Sequence, residues 1–258
     1  MRRIILQCGQ APPHRTRVDT IELPTIPSQR DLRFLEPIAR SALESDPTPS
    51  LAEIQQQPDV KPLGAPQLAP QRPSTSVRLV VRGNDAALSA VLTRLMRQDD
   101  MWIEVAFAPT GPSIAAENWK LPGLDFALEG EVQPAPLIRD DAGIAVAGSA
   151  AIVDWDGGEV TGEVIVDDHV LLHTQQQSDN FGVRLVPTTD APGIAAVKKV
   201  RQRARIRSEY DLRSLATGRA LQAGGRNLRV LIDGESRKRP VERATFYRHL
   251  RDLQVVRP

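Results

Sequence analysis

Two short stretches hold residue types at spacings that could do chemistry. The first is Arg82-Gly83-Asn84-Asp85-Ala86-Ala87, directly after the β-branched run Val77-Arg78-Leu79-Val80-Val81. A strand that turns tightly into a helix gathers backbone N–H groups at one point, and the helix dipole favours an anion there. In parallel α/β units ligands sit at such junctions. Asp85 then has two readings, a helix cap and nothing more, or part of a phosphate site. The second stretch is Asp233-Gly234-Glu235, after Val230-Leu231-Ile232. Asp-Gly is an ordinary hairpin turn, so the triplet reads as a turn followed by a surface charge, or as a pair of working carboxylates.

Other chemistry-bearing residues are weaker. His169 and His173 follow Asp167-Asp168, which suggests a metal, but their spacing of four suits a helix and the segment reads as strand and turn. Cys8 has no histidine partner in sequence and no nucleophile elbow occurs, so covalent hydrolysis has no support. Between Lys198 and Arg207 the chain alternates, and on a strand Lys199, Arg201, Arg203, Arg205 and Arg207 point one way. Such a row could meet an anionic lipid surface, at roughly 1 kcal/mol per residue. It could also steer a phosphate ligand, or merely guard a sheet edge.

The elements that position these residues fall into two textures. Arg3 to Cys8 and Arg17 to Leu23 read as strands, and Ser28 to Leu43 as a helix capped by Ser28 and interrupted at Pro37. Residues 46–76 differ in kind: seven of those from 46 to 75 are proline, which reads as a flexible linker or long surface loop. After strand Val77–Val81 comes a helix whose Leu88, Val91, Leu92, Leu95 and Met96 make one apolar face, capped by Asn84 or Asp85. Met101 to Ala108 is the next strand, and Ser113 starts a short helix through Lys120. Beyond Pro122 the period falls to two. Ile138 to Val153, Glu159 to His173, Phe181 to Val186, Val197 to Arg207, Arg226 to Ile232 and Ala244 to Val256 read as strands, with residues 154–158 as a hairpin loop. An α/β half over 1–122 thus precedes an all-β half over 123–243, sandwich or barrel, and 244–258 are expected to pack back on the first.

Composition sets the outer bounds. Hydrophobic content of 41% in 258 residues supports a real core. A net charge of +1 and 4% aromatic residues point away from nucleic acid. One cysteine excludes an internal disulfide and fits a reducing compartment. The apolar run after Arg2-Arg3 is too short for a signal peptide or membrane span. The expectation is a cytoplasmic protein.

These motifs, in this order, resemble bacterial lipid kinases of the diacylglycerol kinase and sphingosine kinase-like group, over roughly residues 77–258. That family carries GGDGTLNEV after a strand. Here the stretch is Gly83-Asn84-Asp85-Ala86-Ala87-Leu88-Ser89-Ala90-Val91, which keeps the first glycine, the aspartate, the leucine and the valine. The family's second motif, GTGNDFAR, falls at Thr110-Gly111-Pro112-Ser113-Ile114-Ala115-Ala116-Glu117, with Ser113 in place of the asparagine. Its third motif, DGE, stands intact at Asp233-Gly234-Glu235. The resemblance implies a trimmed α/β N-terminal domain of the NAD-kinase and phosphofructokinase type, a C-terminal β-sandwich, and an active site in the cleft between them. It further implies that Gly83, Asn84, Asp85, Thr110, Gly111 and Ser113 contact Mg-ATP, that Asp233 is the general base toward a lipid hydroxyl, and that Glu235 helps hold the metal.

The departures bear on activity. Glycines let the backbone approach phosphates without a Cβ, and Asn84 and Ala86 add side chains at two such places. Ala87 removes a hydroxyl donor, and loss of one preorganised donor costs about 3 kcal/mol of transition-state stabilisation. Two functions follow. One is a divergent ATP-dependent phosphotransferase acting on a lipid or lipid-like hydroxyl. The other is an inactive relative that uses the cleft to bind a small molecule, a lipid or a partner, with peripheral membrane contact through the cationic row.

Overall fold

The computed structural model of the chain describes residues 1–10, 18–43, 64–174, 179–201 and 208–258. They divide into two units, Met1–Ala135 with Leu250–Pro258, and Pro136–His249. In chain order the elements are β1 (Arg2–Cys8), β2 (Asp19–Leu23), α1 (Leu35–Ala42), β3 (Val77–Gly83), α2 (Asp85–Gln98), β4 (Glu104–Pro109), α3 (Ile114–Trp119), α4 (Leu124–Glu129) and β5 (Val132–Ala135). Then come β6 (Ile138–Asp140), β7 (Ala145–Val146), β8 (Ala150–Asp154), β9 (Thr161–Val166), β10 (His169–His173), β11 (Asn180–Pro187), β12 (Ile194–Arg201), β13 (Ser208–Gly218), β14 (Ala220–Ile232), β15 (Glu235–Ser236), β16 (Val241–Arg248) and β17 (Leu253–Val256).

The first unit is α/β. Its sheet has the order β2-β1-β3-β4-β17-β5. Every neighbouring pair from β2 to β17 is parallel, and β5 joins antiparallel. β3 is buried along its whole length, as a central parallel strand requires. Its two arginines are accommodated by pairing: Arg78 meets Glu104 at 2.7 Å and Arg82 donates to Gln7 at 2.9 Å. α2 buries the expected Leu88, Val91, Leu92, Leu95 and Met96, and Asn84 is its N-cap. The closing strand β17 lies between β4 and β5, so residues 253–256 are an interior strand of the first sheet, one place from its β5 edge.

Local chemistry corrects two expectations here. The helix expected from Ser28 begins only at Leu35. Ser28 instead closes a turn, with Asp31 accepting its N–H at 2.9 Å and its hydroxyl at 2.7 Å. Pro37 explains the start, because proline lacks an N–H and is tolerated only in a first helical turn. The all-β unit does not begin at Pro122, since helix α4 follows and β5 joins the sheet of the first unit. Of the proline-rich stretch, 46–63 lie outside the described residues; 64–76 carry no regular element.

The second unit is all β, one eleven-stranded hydrogen-bonded sheet with the main path β13-β12-β11-β8-β14-β16-β6-β7. Its core holds Ile152, Val164, Val183, Leu185, Leu221, Val230 and Phe246, all close to fully buried. β14 organises it. Its first half pairs with β9 and its second half with β8, on the same side, while β16 runs along the other. Residues 154–158 therefore do not close a hairpin, because β8 and β9 lie end to end along β14 rather than beside each other. Asp154 holds that link by accepting the N–H groups of Asp156 and Gly158, each at 3.0 Å. Among the described residues no helix is long and apolar enough to cross a membrane.

Candidate functional site

In the α/β unit two of the three motifs meet. β3 and β4 end together, with Gly83 opposite Pro109 in register, and Thr110 donates its N–H to the Gly83 carbonyl at 3.0 Å. This is the carboxyl edge of a parallel sheet, where open α/β folds hold ligands. Six residues converge there: Gly83, Asn84, Asp85, Thr110, Gly111 and Ser113.

Their partners are internal. Asn84 Oδ1 accepts the Ala87 N–H at 2.9 Å, taking one of the donors that the start of α2 offers. Asp85 reaches to α3. Its carboxylate accepts the Ser113 hydroxyl at 2.5 Å, the Ile114 N–H at 2.9 Å and the Ala115 N–H at 3.4 Å. Ser113 Oγ in turn accepts the Ala116 N–H at 2.9 Å. The N-terminus of α3 thus already holds an anion, supplied by the chain itself.

Gly83 is a packing residue. A Cβ built on it would stand 2.9 Å from Cys8 Cβ and 3.1 Å from Ala87 Cβ. β1 and α2 both come close to this point, so the glycine serves the protein's own close approach. Gly83→Ala is expected to lower stability by about 1–2 kcal/mol through overpacking, read as a reduced thermal midpoint. Cys8 is part of the same contact, and burial pushes its thiol pKa up to about 12, leaving it unreactive. Gly111 differs: a Cβ there would meet nothing within 4 Å.

The third motif lies in the all-β unit, in the turn between β14 and β15. Asp233 is left-handed (φ 51°) and so is Gly234 (φ 89°), as a tight two-residue hairpin demands. The Asp233 carboxylate accepts the N–H groups of Ala147 at 2.8 Å, Gly148 at 2.7 Å and Ser149 at 2.8 Å, while its own N–H donates to the Ser149 carbonyl at 2.8 Å. The aspartate ties the hairpin to the segment between β7 and β8. The unit uses the same device again. Asp167, also left-handed (φ 51°), turns between β9 and β10 and accepts the N–H groups of Arg219 and Ala220 at 3.0 and 2.9 Å. Glu235 is exposed.

Sequence reasoning missed a brace beside this turn. Arg237 donates to Asp140 at 2.7 Å and also pairs with Asp141, and Asp140 is fully buried. Burial works against the Arg237 charge, but the hydrogen bonds to the two carboxylates outweigh it and raise its pKa. An Asp-Asp pair 97 residues before an arginine carries no local signature. Among the described residues no group of three His, Cys, Asp or Glu side chains is placed to hold a metal ion. His169 and His173 lie on β10 rather than on a helix. Of the cationic row, Lys199 is described on β12, which has neighbours on both sides and is no sheet edge. Arg203, Arg205, Arg207 and the side chain of Arg201 lie outside the described residues.

No family model matches the sequence, and no curated protein matches it. Solved structures do match in fold. An NAD kinase from Archaeoglobus fulgidus in complex with ATP aligns with a TM-score of 0.51 at 12% identity, covering 100% of this chain and 94% of that one. A candidate diacylglycerol kinase from Bacillus anthracis aligns at 0.57 and 9%, covering 100% and 97%. Yeast NADH kinase complexed with NADH gives 0.46 and 11%, covering 100% and 84%. The two units thus have the fold that NAD kinases share with diacylglycerol kinase-like proteins. The likeness to lipid kinases stands at this level, that of the fold alone.

Proposed function

We propose that this chain is a non-catalytic relative of the kinases that share its fold, a binding protein whose phosphate-loop positions have become internal helix caps and turn latches. The observation that carries this reading is the loop itself, where Asn84 and Ala86 add side chains at two glycine positions of the resembled motif and Asn84 Oδ1 takes the Ala87 N–H at the start of α2. A nucleotide phosphate arriving there would meet those side chains in place of bare backbone, with the Ala87 N–H already taken. The residues present therefore do not fit Mg-ATP. The Ala87 and Ile114 N–H groups are engaged, the glycine positions of the first loop are replaced or packed, and no metal-ligand cluster is formed among the described residues. Asp233 is equally committed, since a general base needs a lone pair facing substrate and three backbone N–H groups occupy this one.

The competing reading, ATP-dependent phosphoryl transfer to a lipid hydroxyl, draws on the open space at Gly111 beside the joined ends of β3 and β4. Calorimetric titration of the folded chain with Mg-ATP separates the two. Internal capping predicts no heat of binding up to about 1 mM nucleotide. A dissociation constant of about 100 μM or tighter would overturn it.

A further inference from the structure

β13 is the end strand of its sheet, and its ladder to β12 is broken in the middle. Lys198 pairs with Asp211 and Ala196 with Ala216, so residues 212–215 of β13 together face Val197 alone. This bulge is held firmly. Ser214 Oγ accepts the Lys198 N–H at 2.8 Å and donates to the Asp211 carbonyl at 2.6 Å, while the Asp211 carboxylate accepts the Arg213 N–H at 3.1 Å. The chain thus spends several hydrogen bonds on a local fold that pushes two leucines outward. Leu212 is 78% exposed and Leu215 58%, and Tyr210 nearby is 36% exposed. Leu212 is the most exposed large hydrophobic residue among those described.

Cations stand beside Tyr210 and in the bulge. The Arg184 guanidinium lies 5.0 Å over the Tyr210 ring, Lys199 stands opposite Tyr210 in the ladder, and the Arg213 side chain, 94% exposed, pairs with Asp211 at 3.3 Å. An apolar tip, an interfacial tyrosine and flanking cations form one chemical pattern. Leucines enter the acyl boundary, tyrosine sits at headgroup level, and lysine and arginine meet lipid phosphates. A second copy of the chain added as a strand fits less well, because a bulge interrupts the row of N–H and C=O groups that strand addition needs. We propose that the bulged edge of β13 docks this unit on an anionic bilayer surface, with Leu212 and Leu215 as the inserted residues. The proposal goes beyond the non-catalytic reading and does not depend on it.

Vesicle sedimentation of the full chain tests it, with phosphatidylcholine alone against phosphatidylcholine containing about 40 mol% phosphatidylglycerol, which presents a strongly anionic surface. The chain is expected to bind the anionic vesicles and not the neutral ones. Leu212→Ser with Leu215→Ser is expected to weaken that binding at least about 10-fold. Arg184→Gln with Lys199→Gln is expected to weaken it by about 10- to 30-fold and to flatten its salt dependence. The leucines are exposed, so the double serine variant should keep the wild-type circular dichroism spectrum and melt. No binding to anionic vesicles by folded wild type would overturn the proposal, as would equal binding by the serine variant. A concentration-dependent dimer that the serine variant abolishes, without vesicle binding, would reassign the edge to self-association. Nucleotide calorimetry on the same variants is independent, so either reading can fail alone.

Discussion

Asp233→Ala is expected to cost the all-β unit about 3 kcal/mol, a fall of roughly 10 °C in its melting midpoint. Three sources add. Charge-assisted hydrogen bonds from Ala147, Gly148 and Ser149 disappear. Those N–H groups are left without their acceptor. Alanine also tolerates the left-handed backbone at this position less well than aspartate does. Asp233→Asn keeps one oxygen and the same backbone tolerance, so it should lose about half as much. Glu235→Gln, at an exposed position, should change stability by less than about 0.5 kcal/mol. Thermal melts of the three variants check this ranking. A catalytic triplet gives a different pattern, in which Asp233→Asn folds normally and only a rate is lost. A melt of Asp233→Ala matching the wild type would show that the latch is not structural.

Asp85→Ala is expected to cost the α/β unit about 2–3 kcal/mol. The carboxylate accepts the Ile114 N–H and the Ser113 hydroxyl, so its loss uncaps α3 and frees Ser113 to rotate. α3 is only six residues long, from Ile114 to Trp119, and has little of its own to fall back on. Its Trp119 and Ala115 are buried. Loosening of α3 should therefore appear as a change in Trp119 fluorescence before the global transition. Removing a negative charge from this edge also tests the anion logic. If Asp85 excludes phosphate, Asp85→Asn should bind inorganic phosphate or ATP more tightly than wild type, whereas a ligand-contacting aspartate gives weaker binding.

Local pattern made the centre of the first unit readable. Val77–Val81 and the i, i+3, i+4 leucines of α2 carry their own periodicity, and Asn84 is a cap by residue type. The same logic placed Ser113 at a helix start. What failed was non-local. α4 is short and flanked by Gly123 and Gly130, with no side-chain cap to announce it. β8 and β9 look like a hairpin because the strand that actually holds both, β14, comes more than fifty residues later. β13 was not visible at all, because its bulge at residues 212–215 breaks the alternation that marks a strand.

The candidate site divides in the same way. The positions of Gly83, Asp85 and Asp233 were legible as motif positions, and the structure does bring Gly83, Asp85, Thr110 and Ser113 together. Their employment was not legible. The partners of Asp233 are backbone N–H groups of Ala147, Gly148 and Ser149, and a backbone donor leaves no mark in sequence. The partner of Asp85 is a serine at a position where the resembled family has asparagine, and only the fold shows that its hydroxyl points back to the aspartate.

The most direct measurement is the amide NMR spectrum of the isotopically labelled full chain, titrated with Mg-ATP to about 5 mM, well above the range of a functional nucleotide site. If the motif residues are internal caps and latches, the amides of Ile114, Ala115, Ala147, Gly148 and Ser149 keep their shifts throughout. Saturable movement of the Ile114 and Ala115 amides, with Asp85 released from α3, would mean that phosphate displaces the aspartate and would contradict the reading of these residues as internal caps.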